Sequence, residues 1–289
     1  MTMNEKISDY ITFPRTFENY KWYKPLLVFI LTTIIMLIFE GIIVFLLYHF
    51  IGKEFILTVF GGGIDSLNSA TSIFLTDLII ILFIPSIYIA SKIVKDRPFS
   101  SYSSSRGGWN FKLYLKALII PLILHIAYMA VEYSITGTKG PSNISIAFLI
   151  VILISVPLQS IAEEYLFRGL FMQTFGSWFK IPVLAIVLQA IIFTMGHGYN
   201  SLGSIETLTS GLIWGFLTWK TDGIEVSSAL HSANNMSIGL FTMLGLYTST
   251  SSPQLTSVLP SVIFIIALSF LMYYIGKKTD WFGEIQKNT

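Results

Sequence analysis

Long apolar runs separated by short polar punctuation dominate this chain. Residues 25–50 form a run of 26 interrupted by one charge, Glu40, and residues 257–276 form a run of 20 with none. About 20 apolar residues in a helix span the roughly 30 Å hydrocarbon layer of a bilayer, so both runs read as transmembrane helices. The same pattern predicts eight spans, at about 25–50, 71–93, 113–135, 146–168, 181–196, 205–220, 226–247 and 257–276. The expected fold class is all-α: a polytopic membrane helical bundle with about eight transmembrane helices.

The connections are short, which predicts one domain. Residues 1–24 are expected to be a cytoplasmic N-terminal tail, 25–276 the transmembrane bundle and 277–289 a cytoplasmic C-terminal tail. The 94–112 connection contains SYSSSRGG and predicts a flexible loop. Gly61, Gly62 and Gly63 predict an outer turn, and Gly211 and Gly215 form a GxxxG spacing that favours close helix packing.

Composition sharpens this picture. The chain is 53% hydrophobic and 12% charged, about half the charged share of a soluble domain. A net charge of +2 without clustered basic surface gives no reason to expect a nucleic-acid partner. With no cysteine, disulfides and thiol catalysis are excluded. The first 24 residues carry no obvious cleavage site and read as retained rather than as a signal peptide. If the amino terminus is cytoplasmic, fifteen Lys and Arg residues fall on that side, from Lys6 to Lys287, against Lys53 and Lys139 outside and Lys116 within a span. This positive-inside bias places both termini in the cytoplasm.

Ionisable groups inside spans are expensive, so each is a functional candidate. At the end of span four, Gln159, Glu163, Glu164 and Arg168 interrupt an apolar helix, in the string EEYLFR. Positions i and i+4 share a face, which sets Glu164 beside Arg168; Glu163 lies about 100° around the helix, without that partner. His197 ends span five in FTMGHG, one turn after Phe193. His231 begins span seven in HSANN with Asn235 at i+4, so the two side chains can point at a common spot, and an amide there suits an oxyanion role. Two imidazoles and a carboxylate from three helices suit water activation, either by a general base or by a His2Glu metal site with an open position. No HExxH or GxSxG motif occurs.

Glu163-Glu164-xxx-Arg168, Phe193-xxx-His197 and His231-xxx-Asn235, in that order, resemble the three motifs of the CPBP intramembrane proteases, also called the ABI or CAAX-protease family. The resemblance covers about residues 146–240. It implies an endopeptidase in which Glu163 activates the attacking water, Glu164 and Arg168 support it, and His197, His231 and Asn235 complete the site. It also implies a hydrolase of membrane-associated peptides or proteins, with bacteriocin processing or self-immunity among the roles of bacterial relatives. Glu163, His197 and His231 would be the ligands of a divalent metal such as Zn2+; a metal-free, glutamate-based mechanism is equally open. The expected setting is integral and multi-pass, in a bacterial plasma membrane, with lipid and a membrane-associated substrate as partners. A noncatalytic scaffold or regulator binding a partner such as a sensor kinase is the competing expectation, and a proton-coupled transporter a weaker one, since no matching broken spans occur in the two halves.

Along ideal helices, Glu163 and His231 fall near the cytoplasmic side and His197 toward the outer end. Spans five and six, at about 16 residues or roughly 24 Å, are too short to cross fully. Their connection, GHGYNSLGS, is therefore expected to dip into the membrane and place His197 near mid-depth, beside a cavity opening to the cytoplasmic side. Glu40, Asp77, Lys116, His125 and Glu132 in the first three spans read as structural ion pairs or interfacial groups rather than as site residues.

Overall fold

The computed structural model describes residues 9–61, 67–137 and 139–282. Lys6, Gly62, Gly63 and Lys287, with the outermost parts of both predicted tails, lie outside the described residues. Helix accounts for 76% of the chain, and no strand occurs among the described residues. The all-α expectation holds. The main helices are α1 (Lys24–Phe50), α2 (Ala70–Val94), α3 (Phe111–Thr136), α4 (Ile146–Phe179), α5 (Pro182–Met195), α6 (Ser201–Lys220), α7 (Glu225–Met243) and α8 (Leu255–Lys278). Short helices at Lys53–Phe60 and Ser100–Ser103 sit in two of the connections.

Five of these helices, α1 to α4 and α8, are long and apolar enough to cross a membrane, and α5 is a shorter apolar helix. The lengths of α6 and α7, 20 and 19 residues, suffice, but their polar side chains keep them below the same measure of apolarity. Position in the bundle explains the difference. α7 packs against both α3 and α4 and buries nearly all its side chains, including Ser227, Ser228, Ser232 and Ser237. Small polar residues let helices approach closely and offer hydrogen bonds where no water is present. α1, α3 and α8 instead expose Leu37, Phe45, Ile119, Ile123 and Ile263 by more than half, the surface a lipid-facing helix presents.

α4 departs most from expectation. It runs to Phe179 instead of ending near Arg168, so the acidic string lies inside the helix. It is not a regular α-helix: Val151–Ser155 and Tyr165–Met172 are π-helical. Pro157 has no N–H and crowds the carbonyl of residue 153, and the first wide turn absorbs that conflict. The second wide turn carries Arg168. α6 also begins earlier than predicted, at Ser201 rather than 205, leaving a five-residue connection, 196–200, after α5. The α5–α6 pair meets where the GxxxG spacing placed it: a Cβ at Gly211 would lie 2.9 Å from Ala190 Cβ, and one at Gly215 would lie 2.6 Å from Gln189 Nε2.

Two segments expected to be loose are packed. Tyr10 and Ile11 are fully buried, with Tyr10 OH donating to the Tyr102 carbonyl at 2.6 Å and Trp219 Nε1 donating to Asp9 Oδ2 at 2.7 Å. From residue 9 the N-terminal segment is therefore part of the bundle and not a tail; burial also pushes the Tyr10 phenol well above its ordinary pKa. The serine-rich connection is likewise internal, because its hydroxyls satisfy both local and distant carbonyls: Ser101 Oγ donates to Pro98 O at 2.6 Å and Ser104 Oγ to Asp222 O, on the turn before α7, at 3.0 Å. Arg106 Nη2 meets Glu225 Oε2 at 2.9 Å, tying that connection to the start of α7.

Candidate active site

The central feature is an ordered run of polar contacts across α4, α6 and α7. Arg168 Nη1 donates to Glu164 Oε1 at 2.9 Å, and both side chains are fully buried. The same Glu164 oxygen faces His231 Nδ1 at 3.0 Å. The other imidazole nitrogen, Nε2, stands 3.4 Å from Glu163 Oε2. His231 is thus held between two consecutive carboxylates. Consecutive residues of α4 can reach opposite sides of one ring because they point about 100° apart.

The chemistry of the pair follows from donor and acceptor inventory. A carboxylate oxygen only accepts, so His231 Nδ1 carries the proton toward Glu164. In the neutral imidazole Nε2 is then an acceptor, and it faces a second acceptor, Glu163 Oε2. Glu163 Oε2 is buried with no hydrogen-bond donor among the described groups. Two acceptors stand this close when a shared proton lies between them. The Glu163–His231 gap is therefore a place for a labile proton, and it is the feature of this bundle best suited to acid–base work.

Aromatic and backbone groups hold the geometry. Trp214 of α6 stacks on His231 with ring centroids 4.7 Å apart, and Phe193 of α5 meets it edge-on at 6.0 Å. The Arg168 guanidinium lies 4.6 Å from the Phe193 ring centre, and its Nη2 reaches the Gly211 carbonyl at 3.4 Å. Gln189 Nε2 donates to that same carbonyl at 2.7 Å. Tyr114 OH, from α3, meets Ser232 Oγ beside His231 at 3.0 Å. Asp77 of α2 is buried with Oδ2 unpartnered.

The six residues singled out in the sequence do not all meet. Glu163, Glu164, Arg168 and His231 form one connected unit. His197 is half-buried, its Nδ1 set 2.7 Å from the Phe193 carbonyl and its ring 4.5 Å from the Phe193 ring, which in turn meets His231 edge-on. Asn235 does not share a spot with His231: its Nδ2 is taken up by Gln159 Oε1 at 3.1 Å and Ser160 Oγ at 3.3 Å on α4. The expected oxyanion donor is therefore engaged elsewhere. Nor are Glu163, His197 and His231 gathered as metal ligands, since among the described residues no group of three or more His, Cys, Asp or Glu side chains has a metal-holding arrangement.

Sequence reasoning missed Trp214, Gln189 and Tyr114. An aromatic or an amide in an apolar helix reads as core, and only the glycines at 211 and 215 hinted that α5 and α6 approach closely here. Of the acids and bases in the first three spans, none of Glu40, Asp77, Lys116 or Glu132 forms an ion pair with a described residue. Lys116 instead lies over the Trp281 ring, 4.8 Å from its centre.

Residues 145–237 match the type II CAAX prenyl endopeptidase Rce1-like family, a stretch that contains Glu163, Glu164, Arg168, His197, His231 and Asn235. A curated protein of Bacillus subtilis (strain 168), the uncharacterized protein YyaK, is 30% identical over 181 residues. That alignment covers 58% of this chain and 60% of YyaK. No solved structure matches the chain.

Proposed function

We propose that this integral, multi-pass membrane protein, whose residues 145–237 match the Rce1-like family, is a CAAX-type intramembrane endopeptidase that activates water through Glu163 and His231. The observation that carries the reading is His231 clamped between Glu163 and Glu164, with Arg168 supplying the buried countercharge. In this scheme Glu163 Oε2 accepts a proton from water as the oxygen attacks the scissile carbonyl. The proton passes across the 3.4 Å gap to His231 Nε2 and on to the departing amine. Glu164 fixes the tautomer and orientation of His231 through Nδ1, and Arg168 fixes Glu164. Phe193 and Trp214 form apolar walls that limit water to the reacting molecule. His197 and Asn235 enter as positioning residues, one through Phe193 and the other through α4.

The substrate class under this proposal is a membrane-associated peptide or protein, reached within the bilayer or at the face bearing both termini, taken as cytoplasmic in a bacterial plasma membrane. A finer form assigns the activity to bacteriocin processing or self-immunity.

The test uses the full chain in proteoliposomes, with membrane-anchored peptides, prenylated and unprenylated, read by mass spectrometry. Glu163→Gln and His231→Ala, at normal abundance and melting temperature, are expected to lose about 10²-fold or more in cleavage rate. Unchanged cleavage in both would overturn the assignment, and an intact cellular phenotype in both would favour the noncatalytic scaffold.

A further inference from the structure

A second polar feature lies outside the carboxylate–imidazole unit. A cavity of about 450 Å3 opens at the end of the bundle opposite the termini, where the end of α3 and the starts of α6 and α8 meet the 244–254 connection. Its lining includes Glu132 and Glu206 and no Lys or Arg. No Lys or Arg side chain of the lining is placed to pair with these two carboxyl groups.

The third polar member is more specific. His125 is 4% exposed and lines the same cavity, on the α3 face that also carries Tyr128, Met129 and Glu132. Its Nδ1 lies 2.9 Å from the Pro121 carbonyl, which can only accept, so Nδ1 carries the proton and Nε2 is left as an acceptor. That Nε2 is buried and has no partner among the described groups. On Glu206, one carboxylate oxygen accepts from the Ser261 hydroxyl. The titratable lining thus presents acceptors: two carboxyl groups and one imidazole nitrogen. Around them stand Tyr128, stacked on Phe264 at 4.5 Å, and Tyr247, the aromatic surroundings that a cation favours.

We propose that this cavity binds a primary alkylammonium group. The ligand must bring positive charge to meet Glu132 and Glu206, and N–H donors to meet His125 Nε2. An alkylammonium does both, whereas a quaternary ammonium satisfies only the first. A free amine and the lysine side chain of a peptide offer the same chemistry. The cavity also touches the region beside the candidate active site, because Asn234 lines it and donates to Asn235 Oδ1 at 3.0 Å.

The test is isothermal titration of the full chain in lipid nanodiscs with n-butylammonium, tetramethylammonium, n-butanol and Nα-acetyl-lysine methylamide. Saturable binding of n-butylammonium is expected, at least tenfold tighter than tetramethylammonium and with no saturable binding of butanol. Glu132→Gln and Glu206→Gln are each expected to weaken it about fivefold or more, and His125→Phe to narrow the preference for n-butylammonium over tetramethylammonium. Tighter binding of the lysine derivative than of n-butylammonium identifies a peptide side chain as the source; equal or weaker binding identifies a free amine. Absence of saturable ammonium binding, equal binding of butanol, or wild-type affinity in both folded glutamine variants would overturn the proposal.

Discussion

Removing the charge of Arg168 while keeping its bulk apolar is the sharpest perturbation available to this bundle. In Arg168→Leu, Glu164 keeps His231 Nδ1 as a donor but loses the guanidinium at 2.9 Å, and its Oε2 already has no partner. Breaking a buried pair by deleting one partner costs about 3–5 kcal/mol, because the remaining charge stays desolvated. The Gly211 carbonyl retains Gln189, so the penalty centres on Glu164. Deleting both charges in Glu164→Leu with Arg168→Leu removes the stranded carboxylate. The double variant is expected to be more stable than Arg168→Leu alone by at least about 1 kcal/mol, a non-additivity typical of residues in contact. Arg168→Lys keeps a cation but loses the planar group that reaches Gly211 and lies over Phe193, and should fall between, about 1–2 kcal/mol below wild type.

The assay is reversible unfolding in mixed micelles on titration with sodium dodecyl sulfate, followed by tryptophan fluorescence, for wild type, the two single leucine variants, the double variant and Arg168→Lys. A loss below about 1 kcal/mol in Arg168→Leu would refute the reasoning. So would a double variant whose loss equals the sum of the singles, since the two groups would then act independently.

Other consequences follow from the packing. Gly211→Ala puts a Cβ 2.9 Å from Ala190 Cβ and 3.1 Å from Ala190 Cα, so α5 and α6 must separate; a loss of about 1–3 kcal/mol is expected in the same titration. Tyr10→Ala deletes a fully buried ring and its hydrogen bond to Tyr102, and should cost about 3–5 kcal/mol, whereas a true tail residue would cost nothing measurable. Tyr114→Phe removes one buried hydrogen bond to Ser232 and should cost about 1 kcal/mol by the same measurement. Trp214→Leu removes the ring stacked 4.7 Å from His231; in the cleavage assay kcat is expected to fall about tenfold with KM little changed, and a change confined to KM would contradict a role in orienting the imidazole.

Much of this architecture is legible in the residue pattern because lipid makes polarity rare. Every long apolar run became a helix, with α4 alone running far past its predicted end, to Phe179, and Glu163, Glu164, Arg168 and His231 drew attention as ionisable groups in apolar surroundings. The i to i+4 rule put Glu164 on Arg168 correctly, even though the helix widens there. The same rule misdirected the reading of His231 and Asn235. A shared helix face says where two side chains can point, and the amide found stronger partners in Gln159 and Ser160 across the α4 interface. Long-range pairing of this kind leaves no periodic trace. The buried N-terminal segment was illegible for another reason: Asp9, Tyr10 and Arg15 look like exposed mixed sequence, and only tertiary partners on α6, α4 and the serine-rich connection give them a place.

The arrangement also explains why Glu163→Gln isolates chemistry from folding better than an alanine at either position. Glutamine keeps the shape of the carboxylate but offers an amide N–H to His231 Nε2, which is an acceptor when Nδ1 donates to Glu164. The substituted pair is then matched as donor and acceptor without any mobile proton, so the buried contact is satisfied while the base is gone. His231→Ala does the opposite: it leaves Glu164 with Arg168 alone and empties the space beneath Trp214. A protein whose stability rises or holds in Glu163→Gln while hydrolysis disappears is one that keeps an unmatched acceptor pair for its proton. A structural ion pair gains nothing from such a mismatch, and selection for stability alone would favour the glutamine.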